Sequence, residues 1–382
     1  MLSKLKQVDW IIPFILLIFM AASTLLLHSA VLNDPKFSGV VFRNIVFYIL
    51  GFFVMFITMF IDYRWLMRWV WYIYGIGILS LVGLYFFGSY INGARGWYEL
   101  PGFSIQPAEL VKLTLILIIA HMMARRNGEP LLFWRDIVPI GILTLIPFMM
   151  VYEHPDLGNA IIYLVIMFAM LWIGNIKFKY VLIFLVIVGV CLAAFLYVYD
   201  NYHDQMQEYL EERNKGHWLQ RIDTFLRPEL ASSDARYQVE NSKIAIGSGA
   251  LLGEGYLQGK YIHNGSIPYP YSDSIFVVVG EEFGFVGSAL LLFLYFLLLY
   301  RLILIAINAV HKSGAYIVVG VVSMFVFQIF ENVGMLIGLM PLTGITLPFI
   351  SYGGSSLLIN MVSVGLIMSV AIHRKPLPED IN

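Results

Sequence analysis

The chain has 382 residues, 59 % of them hydrophobic and only 13 % charged, with a formal net charge of −1. A soluble domain carries about 25 % charged residues, so this composition excludes a soluble globular fold and predicts a polytopic membrane protein. The near-neutral balance gives no footing for nucleic-acid binding. The single cysteine, Cys191, lies inside an apolar stretch, which excludes a disulfide framework and a Cys/His metal cluster.

A hydrocarbon core takes about 20 apolar residues per helix. In chain order the apolar stretches predict ten spans, at about 10–31, 45–61, 66–87, 107–123, 136–152, 157–173, 177–199, 274–300, 314–338 and 350–371. The first is too long for a signal-peptide core and lacks a small-x-small cleavage site, so it is expected to be retained. The fifth and sixth are short and separated only by Glu153-His154-Pro155-Asp156. A hairpin that stops short of crossing therefore stands beside two full spans as a reading.

The short loops are asymmetric in charge. Lys4, Lys6, Arg64, Arg68, Arg125, Arg126, Arg135, Lys177, Lys179, Arg301, Lys312, Arg374 and Lys375 fall on one side, against Lys36, Arg43 and Arg95 on the other. By the positive-inside rule both termini are cytoplasmic.

The fourth span opens with Gln106-Pro107-Ala108-Glu109-Leu110-Val111-Lys112. Charges at bilayer depth are costly and face a cavity or one another, and residues three apart share a helical face. Glu109 and Lys112 thus predict a polar, outward-facing cavity on one side of the membrane domain. Capping by Pro107 and Glu109 is the alternative, but it leaves Lys112 without a reason. Asp156 reads as a turn residue or as an ion-pair partner for a basic group.

From about 200 to 272 the chain turns polar, a length far beyond ordinary connections. Tyr209, Leu210, Trp218, Leu219, Ile222 and Phe225 interleave with charges at helical spacing. The pattern fits an amphipathic helix resting at the outer interface, with a solvated linker as the alternative. Gly247-Ser248-Gly249, Gly253-Glu254-Gly255 and Asn264-Gly265 mark tight turns. Ile267-Pro268-Tyr269-Pro270-Tyr271 then stiffens the lead into Asp273.

Asp273, at the outer mouth of the eighth span, reads either as a helix N-cap or as a general base. Glu281 and Glu282 follow about 12–14 Å deeper at 1.5 Å per residue. At least one is expected to face the cavity of Glu109 and Lys112, or to pair with a basic residue. Arg43, Arg95 and Lys112 suit an anionic group such as pyrophosphate, although an interfacial arginine also serves simply to anchor a helix end. Residues 340–356, apolar yet broken by Pro341, Pro348, Gly344, Gly353 and Gly354, read as an embedded segment lining the cavity or as a surface loop.

Several of these strings resemble the FtsW/RodA/SpoVE (shape, elongation, division and sporulation) family. They are Asn92-Gly93-Ala94-Arg95-Gly96-Trp97, Phe103 through Lys112, and His154-Pro155-Asp156-Leu157-Gly158, followed by Asp273-Ser274-Ile275-Phe276 through Gly284 and Pro341 through Ser356. The resemblance covers nearly the whole chain, 1–382, as one membrane domain. Gly280-Glu281-Glu282-Phe283-Gly284 and Ile246-Gly247-Ser248-Gly249 are more similar to the RodA branch than to FtsW.

The resemblance implies a peptidoglycan glycosyltransferase of the bacterial cytoplasmic membrane that polymerises lipid II during cell elongation. Its partners would be a class B penicillin-binding protein and other elongation-complex membrane proteins. It also implies that Asp273 is the essential aspartate, that Glu109 and Lys112 are the charged pair, and that Arg43, Arg95, Trp97 and Asp156 belong to cavity motifs. Ser272 and Ser274 depart from the family's usual neighbours of the aspartate.

An α-linked donor giving a β-linked product calls for inversion with one general base, unlike hydrolases with paired carboxylates. Basic groups or a divalent cation, Mg or Mn, would take the leaving-group charge, with no organic cofactor. A flippase of lipid-linked precursors is the alternative from another class, and a non-catalytic scaffold is a third.

Overall fold

The computed structural model of the protein describes residues 7–33, 37, 39–91, 94–100, 103–154, 156–212, 216–227, 229–230 and 233–373. Lys4, Lys6, Lys36, Asn92, Gly93, Pro155, Arg213, Lys215, Arg374 and Lys375 lie outside the described residues, as do the side chains of Trp218 and Arg221.

Ten apolar helices form the body of the molecule. They are α1 (Ile11–Ala30), α2 (Val40–Phe60), α4 (Val70–Phe87), α5 (Pro107–Ala124), α6 (Val138–Glu153), α7 (Leu157–Ile173), α8 (Phe178–Asn201), α13 (Ile275–Ile307), α14 (Lys312–Ile337) and α15 (Gly354–Ile372). A π-helical turn, Phe133–Ile137, extends α6 at its start. Among the described residues nine of the ten are long and apolar enough to cross a membrane, α6 with its π turn among them, and α7 has 17 residues. The chain is a polytopic, predominantly helical membrane protein, and each predicted span corresponds to one of these helices.

The second helix begins at Val40, five residues before the prediction. The third predicted span is split. Asp62 caps a short helix, α3 (Tyr63–Arg68), by accepting from the Arg64 amide at 3.0 Å, and its carboxylate also pairs with the Arg64 guanidinium at 2.8 Å. Trp69 then breaks the helix before α4 begins.

A three-stranded antiparallel sheet, unforeseen in the sequence reading, joins α4 to α5. Its strands are β1 (Ser89–Ile91), β2 (Ala94–Leu100) and β3 (Phe103–Ile105), in the order β1-β2-β3. Tyr98 on β2 donates to the Ser80 carbonyl of α4 at 2.7 Å, and Ser355 at the start of α15 donates to the Ser104 carbonyl of β3.

The long loop is mostly helical, with α9 (His203–Glu212), α10 (Gly216–Leu226), α11 (Ser233–Ser248) and the short α12 (Lys260–His263). Two helices, α9 and α10, stand where one amphipathic helix was expected. The loop also re-enters the bundle. Helix α13 is broken at Gly284, whose φ of 62° and ψ of −158° are non-helical, and residues 249–255 complete its backbone. Glu254 and Gly255 donate to the Glu281 and Glu282 carbonyls at 2.9 and 3.1 Å. Phe285 and Val286 in turn donate to the Ala250 and Leu251 carbonyls at 2.9 and 3.0 Å. A Cβ on Gly253 would sit 2.1 Å from the Glu282 carbonyl oxygen, so only glycine permits this approach. The exchange lies about 9–17 Å along α13 from its first residue.

Glu281 and Glu282 fasten the returning arm of this hairpin. Glu281 is 0 % exposed and accepts from the Tyr261 and Ile262 amides at 2.7 and 3.2 Å. Glu282 accepts from the Ser29 hydroxyl of α1 and lies 3.4 Å from His263 Nε2. The structure therefore does not bring Glu281 to the Glu109–Lys112 pair. Both of its oxygens are taken by loop amides, the ordinary solution for a buried carboxylate that finds backbone donors nearby.

Candidate functional site

The site is built from helix starts. Pro107 stands in the first turn of α5, where its missing N–H costs nothing. This places Glu109 and Lys112 one turn in, with Nζ 2.7 Å from Oε2 and the residues 4 % and 0 % exposed. Asp156 caps α7, accepting from the Asn159 amide at 3.2 Å and its side-chain amide at 2.9 Å. The Gln106 amide nitrogen reaches the same carboxylate at 2.7 Å, tying the start of α5 to the start of α7. Burial pushes the Asp156 carboxyl above the ordinary carboxylate range, the Asn159 bonds oppose this, and Glu109 and Lys112 act on it with opposite signs. Tyr163 seals the pairing by donating to the Ala108 carbonyl at 2.9 Å.

Asp273 precedes α13, but it does not hold the cap position. That position is Ser274, whose side chain makes no capping bond. Asp273 is half-buried. A Cβ on Gly344 would stand 3.7 Å from Asp273 Oδ2, so the aspartate faces the irregular stretch 341–353. Gly344 has a φ of 77°, a conformation that a side chain would strain.

That stretch bridges the two halves of the site. On one side Ile345 packs against the first turn of α7, leaving no room for a Cβ on Gly158. On the other, Asn332 of α14 donates at 2.7 Å to both the Asp273 and the Ile345 carbonyls. Non-helical backbone in a membrane domain must have its polar groups paired by protein. Here Tyr295, Tyr48 and Ser23, from three helices, donate to the successive carbonyls of Pro348, Phe349 and Ile350. Tyr352 donates to the Tyr271 carbonyl at 3.0 Å, two residues before Asp273.

The starts of α5, α7, α13 and α15 thus meet at one end of the bundle. The Gln106 amide completes the ring by donating to Ser355 Oγ at 3.2 Å. Helix N-termini carry unpaired amides and a positive dipole end, a favourable setting for an anion.

Arg95 and Trp97 lie half-buried on β2, with Arg95 Nε donating to the Gly88 carbonyl at 3.0 Å and Trp97 opposite Ser89 in register. Arg95 also acts on His154. Burial lowers the His154 pKa and Arg95 lowers it further, while Glu153 and Asp156 oppose the shift. Arg43 is exposed on the first turn of α2, its guanidinium lying along Gly39.

Asn332, Glu331, Gln106 and Asn159 take part in holding this arrangement and have no role in the sequence reading. The signal for the first two was polarity inside an apolar span, the same signal that picks out Glu281 and Glu282. Among the described residues no group of three His, Cys, Asp or Glu side chains is placed to hold a metal ion. A divalent cation shared with substrate phosphates needs only one or two carboxylates from the protein, so the steps below are written for the chain's own residues alone.

The comparisons follow this geometry. A family model described as Cell cycle protein, FTSW_RODA_SPOVE, matches residues 6–376. Peptidoglycan glycosyltransferase MrdB of Escherichia coli K12 is 32 % identical over 96 % of this chain and 94 % of its own. Stage V sporulation protein E of Bacillus subtilis is 30 % identical over 98 % of this chain and all of its own. Peptidoglycan glycosyltransferase RodA of Treponema pallidum is 29 % identical over 95 % of this chain and 97 % of its own.

Among solved structures, a chain from a peptidoglycan synthase complex that coordinates polymerization and crosslinking superposes with a TM-score of 0.76 at 30 % identity, covering 96 % of this chain and 98 % of that one. The rod shape determining protein RodA of Thermus thermophilus does so with 0.69 at 29 % identity, covering 97 % and 98 %. The chain belongs to the FtsW/RodA/SpoVE family of cell cycle proteins.

Proposed function

We propose that the protein is a peptidoglycan glycosyltransferase that polymerises lipid II on the outer face of the bacterial cytoplasmic membrane, with both termini cytoplasmic and a role in cell elongation. Its relatives carry that activity in their names. The observation that carries the chemical reading is the half-buried Asp273 carboxylate facing Gly344 where four helix starts meet.

In this reading the acceptor sugar's hydroxyl gives its proton to Asp273 as its oxygen bonds to the donor's anomeric carbon. The bond from that carbon to the lipid pyrophosphate breaks on the opposite face, which inverts the configuration. The departing pyrophosphate gains charge beside the helix starts, Lys112 and Arg95, which were oriented before the reaction. Glu109 holds Lys112 in place, while Asp156 and Gln106 hold α5 against α7. Arg43 and Trp97 meet the substrate nearer the mouth. A class B penicillin-binding protein is the proposed partner, in keeping with the synthase complex that contains the similar chain.

Asp273→Asn tests the base. Asparagine keeps the shape but takes up no proton, so glycan synthesis from fluorescent lipid II is expected to fall by about 10²–10⁴-fold with thermal stability unchanged. Long glycan chains at near-normal rate from this variant would exclude Asp273 as the base. Transbilayer movement of lipid II with no glycan ladder from the unaltered protein would favour the flippase reading instead.

A further inference from the structure

We infer that Asn332, with Glu331 beside it, is a positioning residue that sets the Asp273 carboxylate against the 343–345 segment. This rests on the reading of Asp273 as the base.

Asn332 is 0 % exposed on α14, and it spends both protons of its amide nitrogen on carbonyls from two separate parts of the chain. One belongs to Asp273 and the other to Ile345, each at 2.7 Å. A single planar group thereby fixes the distance between the backbone that carries the base and the backbone opposite it. Glu331, 1 % exposed, accepts from the Thr343 hydroxyl. Consecutive residues of one helix therefore grip Thr343 and Ile345, the two neighbours of Gly344, whose α-carbon faces Asp273 Oδ2.

Gly344 presents no side chain, so Glu331 and Asn332 act on its two neighbours to hold it in register. The cap position of α13 is Ser274, whose side chain makes no capping bond. Asn332 Oδ1 is buried and accepts no hydrogen bond among the described residues. Asn332 uses its donors alone, and both span the junction.

Positioning predicts a specific kinetic signature. Misplacing a catalytic group by about 1 Å costs on the order of 10²-fold in rate, whereas substrate held elsewhere in the site keeps its affinity. Full-length Asn332→Ala and Asn332→Asp variants, reconstituted in lipid nanodiscs with fluorescent lipid II, are compared with wild type and with Asp273→Asn. Asn332→Asp keeps the volume and removes the paired donors. The expected result is a kcat lower by about 10–100-fold with KM within about twofold in the folded variants, with Asn332→Ala the less destabilised of the two because Asn332→Asp buries a carboxylate against two carbonyls.

A wild-type kcat in a folded Asn332 variant overturns the inference while leaving Asp273 as the base. A raised KM at unchanged kcat also overturns it, by making Asn332 a substrate-binding residue. Failure of both variants to fold assigns Asn332 to the framework and overturns it as well. Normal polymerisation by Asp273→Asn, by contrast, removes the base reading whatever Asn332 does.

Discussion

Helices α5 and α8 are both single apolar spans, yet the protein treats them in opposite ways. Of the most apolar 18 residues in each, 78 % are buried in α5 and none in α8. The more apolar of the two is the one left outside. In water the reverse would hold. In a bilayer the lipid tails solvate leucine as well as another helix does, so apolar surface gives little reason to pack. Polar groups supply that reason. Helix α5 carries Glu109, Lys112 and Thr114, which have no partners in lipid and therefore require neighbours on every side. Helix α8 carries nothing of the kind along most of its length, and Tyr199 alone is buried on it.

Ring contacts of Tyr180 with Phe133 and of Phe184 with Phe168 touch the first half of α8, and a polar knot holds its far end. Tyr199 donates to Asp223 of α10 at 2.7 Å, His203 Nε2 lies 3.0 Å from the same carboxylate, and Arg227 pairs with Asp200 at 2.7 Å. Arg227 also lies 5.4 Å from the centre of the Tyr199 ring.

The largest effect that sharpens this contrast is expected at Lys112. Lys112→Met leaves the buried Glu109 carboxylate without its counter-charge, a loss of about 3–5 kcal/mol that thermal unfolding in detergent will show. Replacing Glu109 by leucine in the same chain should recover most of that stability without restoring polymerisation. If the double variant stays as unstable as the single one, the ion pair is not what makes α5 an interior helix.

A smaller effect is expected at the knot. Asp223→Ala leaves the Tyr199 hydroxyl buried and unpaired, a cost of about 1–3 kcal/mol confined to α8, α9 and α10. Hydrogen–deuterium exchange should quicken there and stay unchanged in α5. Exchange that rises evenly across the bundle would mean that α8 is held along its length after all.

The smallest effect is expected at Leu185, 59 % exposed in the middle of α8. Leu185→Ala should move stability by no more than about 0.5 kcal/mol. Ile116→Ala on α5, at a residue that is 0 % exposed, should cost about 2–5 kcal/mol. Equal costs at the two positions would erase the distinction between them.

Much of this was legible in the sequence because the bilayer restricts the choices. A run of about 20 apolar residues has to be a helix, so each of the ten spans appears near its predicted place. Glu109 and Lys112 were legible for the same reason, since two charges on one face demand each other. The breaks were harder to see. The break at Trp69 falls inside the predicted third span because Asp62 and Arg64 build a separate short helix beside it, a local preference that hydropathy does not register. The sheet had one cue, the Asn92-Gly93 pair, which is a strong hairpin signal, but the strands are too short for alternation to stand out.

Glu281 and Glu282, like Glu109, are carboxylates in an apolar span, but no basic residue follows on the same face. Their partners come from elsewhere: two amides and a histidine from the loop, and Ser29 from α1. Hydropathy and charge describe what a residue needs, and residues distant in sequence decide which partner supplies it. The same holds for Asn332, whose two acceptors are 59 and 13 residues away.

The broken backbone of α13 bears on how the protein is made. A span that satisfies its own hydrogen bonds can pass sideways from the translocation channel into lipid as a finished unit. Helix α13 does not satisfy its own. In a continuous helix the Glu281 and Glu282 carbonyls would accept from the Phe285 and Val286 amides, four residues on. Residues 249–255 take over both sides of those bonds, so the break at Gly284 is paired only while the loop is in place, and the unbroken helix is the form that can enter lipid alone. The span can therefore insert straight and kink only when the preceding loop returns, which makes the break a late step of biogenesis.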